Sequence, residues 1–449
     1  MRFRIRSLLY LILTALFLAA ATKFLLSETY YNAARYAKSK FIAVGPPRPP
    51  PVVPGENDGP LAGPQPNVEP ELEPEYEFEI KDGEILSADD IVQYLESVTD
   101  WESRVLPRMG CRPITTYRYD HLRPGNAGIH YLFAINLRDS LHIIPRLLGT
   151  VLEVMHYLGS EHCALSIVEG HSGDGTQDVL AALVPVLRGA GVRYSFQRSD
   201  IDPAAGDRVG RLARLRNLAL EPLLGRADLG PDPTVVFLND VAACPNDVLE
   251  LAHQRRHLGA DMTCAMDWTH AGDRPSFYDV WIARGMTGDT FFRIPDDGSW
   301  EGAWDLFWND GLSGSRLDTA RPFQVFSCWN GAAVFGARPL LAGEAGGAVS
   351  FRSAFEAAGE CYQGEPVLFC KDLWFRGHGR IAVVPSVSLE YSDAAGEDIK
   401  REKGWTEDVV AGLDPAGDLI DWQAQPPAEI KCAPGWQNQH WQKWDQGLS

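Results

Sequence analysis

Between Ile129 and Trp268, apolar strand-like runs alternate with segments of helix length, and few folds satisfy that alternation. The runs are HYLFAINL (130–137), ALSIVEG (164–170), RYSFQRS (193–199), TVVFLND (234–240) and DMTCAMDW (261–268). Helical patterns fill the gaps at 140–158, from Thr176, over about 207–224 and at 245–258. Strands separated by helices of ordinary length make βαβ units and a parallel sheet. Further on the pattern loosens, with a strand pair in QVFSCWNGAAVFGA (324–337) and a last strand in RIAVVPSVSLEY (380–391). The expected architecture is an open α/β sheet joined to a mixed α+β half.

Within that frame, TVVFLND carries the first chemistry. Val235, Val236, Phe237 and Leu238 leave no polar face, so the strand is buried on both sides. It ends in Asn239-Asp240, at the carboxyl edge where open α/β sheets bind ligands. An acid there can hold a divalent cation against a diphosphate, or it can simply cap the next helix. Asp267 ends the following strand in the same way and can converge on the same cleft. His378, in WFRGHGRIAV, is a further candidate metal ligand.

Two more segments bear on an anionic ligand. In SIVEGHSGDGTQDV a strand ends in Glu169, and a loop with Ser172 and Asp174 opens a helix. Freed amides at a helix start suit an anion, although an Asp-Gly turn with a Thr cap looks the same. The helix DRVGRLARLRNLALEPLL places Val209, Leu212, Ala213, Ala219, Leu220 and Leu223 on one stripe, with Arg216 in the remaining slot. A guanidinium there needs an anion, from the protein or from a ligand phosphate. Arg214 and Asn217 are its neighbours. The tryptophan-rich run WEGAWDLFWNDG (300–311) suggests an exposed acceptor groove, with core packing as the alternative.

The N-terminus sends a separate signal. Arg2, Arg4 and Arg6 precede LLYLILTALFLAAATKFLL, close to the roughly 20 apolar residues that span a bilayer. Basic residues hold that end in the cytosol. This makes residues 1–7 a cytosolic tail and 8–26 a signal anchor; Ala19-Ala20-Ala21 keeps a cleaved signal peptide open. Residues 27–100, rich in Pro and Glu, are expected to form a disordered stem, and 101–449 the lumenal domain. Residues 1–55 hold 8 basic and 1 acidic groups and 56–102 hold 1 basic and 15 acidic, which leaves −12 of the formal −19 for the rest. So acidic a body argues against nucleic acid as a partner. The 8 cysteines include no CxxC pair, which argues against a zinc ribbon. Cys244 with Cys264, and Cys361 with Cys370, are the disulfides their positions suggest.

FLNDV after RLARLRNLAL, the preceding EGHSGDGT loop, CAMDW, FQVFSCWNGAAVF and ECYQGEPVLFCKDLW occur in an order that resembles the fungal capsule-associated α-1,3-mannosyltransferase family. The resemblance covers about residues 128–395. It implies a GT-A-like, nucleotide-binding open sheet with an acceptor-binding half, in a single-pass type II protein of the Golgi membrane. The implied donor is GDP-mannose, the acceptor mannan or another mannose-containing glycan, the cofactor Mn2+ or Mg2+, and the transfer retaining. Asn239-Asp240 take the place of an Asp-x-Asp-type metal motif, with one acid instead of two. Glu169, Ser172 and Asp174 match the donor-binding loop, and Arg214, Arg216 and Asn217 the helix lining the nucleotide pocket. Trp329 and Asn330 fall where the acceptor is expected, and Asp267, Glu360 and Asp372 are the catalytic candidates. The missing second acid motivates a rival reading, an inactive membrane-tethered sugar-binding module. A glycosidase, which needs facing carboxylates about 5–10 Å apart, would leave the cationic helix without a purpose.

Overall fold

The computed structural model describes residues 79–272, 274–341 and 347–448. The expected tail, anchor and stem as far as residue 78 lie outside them, and no helix among the described residues is long and apolar enough to cross a membrane.

Folding begins earlier than the expected stem boundary at residue 100. Ser87 caps α1 (Ala88–Thr99) by accepting from Asp90 N–H, and Asp89 and Asp90 sit in the first turn, where the helix dipole favours acids. Ile91, Leu95 and Val98 recur at helical spacing and are buried. Asp89 and Asp90, which by composition resemble stem, are therefore on the outer face of a packed helix.

The main sheet contains β1 (Ile129–Leu137), β2 (Cys163–Glu169), β3 (Arg193–Arg198), β4 (Leu229–Leu238), β5 (Met262–Ala271), β6 (Arg274–Phe277), β7 (Arg284–Gly285), β8 (Phe323–Ser327), β9 (Ala332–Gly336) and β10 (Ile381–Leu389). Its order is β3-β2-β1-β4-β9-β5-β10-β8-β7, with β6 folded back on β5. The crossovers are α2 (Ile144–Leu158), α3 (Thr176–Gly189), α4 (Arg208–Leu224) and α5 (Pro245–His257). After them come α6 (Gly311–Asp318), α7 (Glu365–Phe375), α8 (Asp393–Lys403) and α9 (Thr406–Ala411). A separate hairpin, β11 (Glu429–Cys432) with β12 (His440–Lys443), follows.

Strand side chains alternate between two cores. Tyr131, Phe133, Ile135 and Leu137 of β1 pack with α1, α2, α3 and α5, while Leu132 and Ala134 join α4 and α7. The sheet is thus covered on both faces, and a mixed α/β open sheet is what the chain builds.

Two features of this topology place a site. From β1 the chain steps outward through β2 and β3, then returns to set β4 on the other side of β1. The crevice at such a reversal, outside the carboxyl ends of the strands, is where open sheets take ligands. In addition, antiparallel β9 inserts between β4 and β5, pairing Ala332 with Leu238 and Ala333 with Cys264. That insertion brings the Cys328–Gly331 turn to the carboxyl edge of β4.

The disulfides differ from the expected pairs. Cys111 bonds Cys244, Cys264 bonds Cys328, and Cys361 bonds Cys432, while Cys163 and Cys370 are free and buried. Cys244 stands at the start of α5 and Cys264 inside β5, so ends of neighbouring runs in sequence are not neighbours in space. Cys370 is fixed within α7, where its thiol meets the carbonyl of Cys328 at 3.6 Å.

Candidate active site

At the end of β4 the chain turns through Asn239 and Asp240. Asn239 N–H donates to Gly331 O at 2.9 Å, and its side-chain oxygen accepts the Trp329 indole N–H at 3.0 Å. Position 239 is thus turned toward the protein. Asn330 and Gly331 both adopt left-handed backbone, φ 55° and 78°. A Cβ at Gly331 would come within 3.0 Å of Val241 Cγ1, so glycine is required for this close approach.

Asp240 is half-buried and no cation pairs with it among the described residues. Burial raises its carboxyl above the ordinary range, partly offset by the charges of His142 and Arg216. Arg216 therefore lies close enough to act on Asp240. Its Nε donates to Glu365 at 2.7 Å, and its guanidinium lies 4.3 Å from the Trp329 ring centre, with Phe237 and Phe351 also around it. Its Nη1 and Nη2 make no hydrogen bond among the described residues and are not among the sealed, unpaired atoms of the interior. One edge of the guanidinium is anchored and the other is open.

Asp267 does not end its strand but lies inside β5, at the last residue paired with β10; it is fully buried and accepts the Tyr391 hydroxyl at 2.5 Å and Asp279 N–H at 3.3 Å. Burial first, then the neighbouring Asp279, pushes its carboxyl well above the usual range. Asp279 follows the β5–β6 hairpin, and burial pushes it up to about 6 against the pull of Asn330 N–H and Arg216. Tyr278, 48 % exposed, packs on Tyr391 at the mouth. His142 Nε2 lies 3.2 Å from Tyr391 O, and the charge of Arg208 acts on Tyr278.

The donor-loop candidates share this edge of the sheet, two strands away. Glu169 is fully buried; its Oε1 accepts Ser172 N–H at 2.5 Å, and its Oε2 has no partner among the described residues. Ser172 accepts Asp139 N–H, and Asp174 accepts from Leu141 and Thr176, which stitches the loop to the one after β1.

Other expected residues are placed elsewhere. His378 pairs with Asp261 at 3.2 Å, at the opposite edge of the sheet from Asp240, so the two cannot share a metal. Glu360 and Asp372 are both clamped by Arg352, at 2.6 and 2.7 Å, and Lys371 adds a second ion pair to Glu360; these pairs hold the 352–360 loop to α7. Asn217 donates to Phe351 O and accepts Phe351 N–H, so its amide ties α4 to the 351 segment. Arg214 is exposed and stands outside the Arg216 network. Trp329 is only 1 % exposed and Asn330 is fully buried, so neither offers an acceptor surface. Of the 300–311 run, Trp304 is exposed at 43 %, whereas Trp300 packs on Phe292. Asp279, Tyr391, Tyr278, Glu365, His142 and Arg208 complete the cleft without having been singled out as site residues from the sequence. The end of an apolar run, the signal that flagged Asp267, also marks Tyr391, two residues past β10; nothing local marks Asp279.

The family model described as Cryptococcal mannosyltransferase 1 matches residues 130–372. The α-1,3-mannosyltransferase CMT1 of Cryptococcus neoformans is 38% identical over 338 residues, 71% of this chain and 70% of that protein. Solved structures with a similar course of chain include S. aureus TarS 1–349 (TM-score 0.33, 12% identity, 65% of this chain and 68% of that one). Another is the mannosyltransferase PcManGT of Pyrobaculum calidifontis in complex with GDP-Man and Mn2+ (TM-score 0.34, 10% identity, 61% and 62%). At that level of likeness neither structure assigns a substrate or a metal to this chain. The sequence matches do assign a family: the chain belongs to the cryptococcal mannosyltransferase 1 family and is a homologue of an α-1,3-mannosyltransferase.

Proposed function

We propose that the chain is a GT-A-type retaining transferase that moves mannose from GDP-mannose to a hydroxyl of mannan or another mannose-containing glycan, forming an α-1,3 linkage. The observation that carries this reading is that Asp240, an acid without a bonded cation at the end of β4, lies within reach of the charge of Arg216, whose outer edge is open, at the sheet's reversal point. A cation and an arginine on one diphosphate is the arrangement that a departing nucleotide requires.

Asp240 would hold a divalent cation, Mn2+ or Mg2+. The donor set fits in a limited way: one desolvated carboxylate without a protein cation, and no cluster of three metal-binding side chains among the described residues. Such ions complete their shells with water and substrate phosphate, and one or two protein acids suffice. When bound, the ion neutralises charge on the diphosphate. Arg216, fixed by Glu365 and Trp329, presents Nη1 and Nη2 to the same oxygens, and Arg208 adds charge at the mouth. Asn239 holds the turn rigid and offers no second acid.

The Golgi lumen is the proposed location, with residues 8–26 as the anchor of a type II protein. Three disulfides within the described body support maturation in an oxidising compartment.

The test is thermal shift and transfer with the purified chain. GDP-mannose is expected to stabilise the protein only with Mn2+ or Mg2+, and Asp240→Ala to abolish both that shift and mannose transfer while the apo melt is unchanged. Transfer retained by Asp240→Ala would refute the metal role. Donor binding without any turnover by the natural chain would favour the inactive sugar-binding module.

A further inference from the structure

A cavity of about 370 Å3 lies away from the Asp240 cleft, beside the turn that carries His378. Its volume falls within the range of small-ligand pockets, about 300–1,000 Å3. Three aromatic side chains, Trp374, Phe375 and Trp444, line it together with Gln425, and no charged residue does.

Local structure holds each wall. α7 ends at Phe375, and the left-handed Gly377 (φ 81°) closes it. Gly377 N–H donates to Trp374 O at 3.0 Å and His378 N–H to Leu373 O at 2.8 Å. This pair of bonds satisfies the last carbonyls of a helix around a glycine and keeps its final turn in place. Trp374 is buried, and its indole N–H donates to Phe326 O at 2.9 Å, which leaves ring surface for the cavity. A side chain at Gly379 would collide with that indole, so glycine lets the chain lie against it. The facing wall comes from the C-terminal hairpin. Trp444 follows β12, and its N–H donates to Ala428 O at 3.2 Å. The Cys361–Cys432 disulfide ties β11 to the loop before α7, and Lys371 Nζ donates to Gln446 O at 2.5 Å.

The ring centres of Phe375 and Trp444 are 6.4 Å apart with the planes inclined at 52°, so the two rings form an open V. Phe375 is 39 % exposed, a large apolar face left in water. Arg376 lies 5.8 Å from its ring centre but does not line the cavity. Gln425 is exposed, and its amide makes no hydrogen bond among the described residues.

An occupant must match aromatic faces, an open amide and the absence of charge. A phosphate finds no cation in this lining, and a pure hydrocarbon would cover the Gln425 amide without bonding it. A pyranose meets all three conditions, because its C–H groups pack on aromatic faces while its hydroxyls bond an amide. We propose that this pocket holds a hexose unit of a neutral glycan and anchors the acceptor chain at a distance from the cleft. The proposal rests on the transferase reading for the identity of the glycan; binding itself needs no turnover. β10, 9 residues from Ile381 to Leu389, runs between the pocket and Tyr391, about 26 Å at ~3.3 Å per residue. A disaccharide is too short to reach both places. A long chain held in the pocket keeps its free end concentrated near the cleft.

The test is affinity electrophoresis of the full chain in native gels containing mannan, beside Phe375→Ala, Phe375→Trp and Gln425→Ala. Wild type is expected to be retarded. Phe375→Ala should raise the apparent Kd for mannan about tenfold, as for loss of one aromatic contact. Gln425→Ala should raise it about threefold, and Phe375→Trp should retain the wild-type value. With GDP-mannose and Mn2+, Phe375→Ala should raise KM for mannan and leave kcat and KM for α-mannobiose unchanged. No retardation of wild type, equal retardation of all variants, or an equal loss with α-mannobiose overturns the inference. A wild type that sediments as a dimer beside a monomeric Phe375→Ala gives the pocket to a second copy and also overturns it. Failure of GDP-mannose to stabilise the wild type overturns the transferase reading instead, and the gel result is scored separately from it.

Discussion

The guanidinium of Arg216 lies 4.3 Å from the ring centre of Trp329, and the indole N–H of Trp329 is bonded to Asn239, next to Asp240. The arginine and the acid are therefore held by one rigid relay, aromatic shelf to amide to strand end. A planar cation stacked on indole is a geometry that lysine does not reproduce. Arg216→Lys keeps the charge and loses both the stack and the Glu365 bond. Affinity for GDP-mannose with Mn2+ is expected to fall about tenfold, about 1.4 kcal/mol, measured by titration calorimetry. Unchanged affinity would make Arg216 purely structural.

The clamp around Arg352 predicts acid sensitivity. Burial tends to raise Glu360, but the hydrogen bonds from Arg352 and Lys371 outweigh it and hold the carboxyl below its ordinary value. A lowered carboxylate contributes stability above its unfolded pKa, about 4.3, and that contribution disappears as pH falls through the folded value. Arg352→Ala is expected to cost about 3 kcal/mol at pH 7 and progressively less below about pH 4. Denaturant melts across pH check this; a constant difference would contradict it.

Asp178, at the start of α3, accepts the N–H groups of Glu84, Ile85 and Leu86 at 2.8–2.9 Å. Leu86 in turn fills the space where a side chain at Gly175 would sit, with Cγ at 2.5 Å from that Cβ position. The last residues before α1 thus buttress the Glu169–Thr176 loop. Asp178→Ala should expose 82–87 to limited proteolysis and cost about 2 kcal/mol. The same cleavage pattern in wild type and variant would rule the strap out.

The Cys264–Cys328 disulfide closes a separation of 64 residues and ties β5 to the turn that carries Trp329 and Asn330. Replacing both cysteines with alanine is expected to cost about 3–4 kcal/mol. Transfer should fall further than that loss alone explains, because the turn carries Trp329, on which Arg216 is stacked. Stability that drops while kcat in the folded fraction is unchanged would uncouple the bond from the site.

The strands and helices from Ile129 to Trp268, the buried β4 and the acid at its end were legible in the sequence, and so was membership of the family. Periods of 2 and 3.6 are properties of the backbone within a few residues, so they survive without tertiary context. What acids and aromatics do was not legible. Glu360 and Asp372 have the same local pattern whether free or clamped, and Arg352 decided. Trp329-Asn330 has the composition of an exposed sugar site, yet insertion of β9 between β4 and β5 buries it. Asp267 meets Tyr391 across 124 residues and Asp279 by way of a hairpin. The sequence alone determined which segments form the sheet and which strand ends bear charge; only the tertiary structure decided which charges are consumed by the protein and which are left open, because partners are set by contacts between distant segments and not by spacing along the chain.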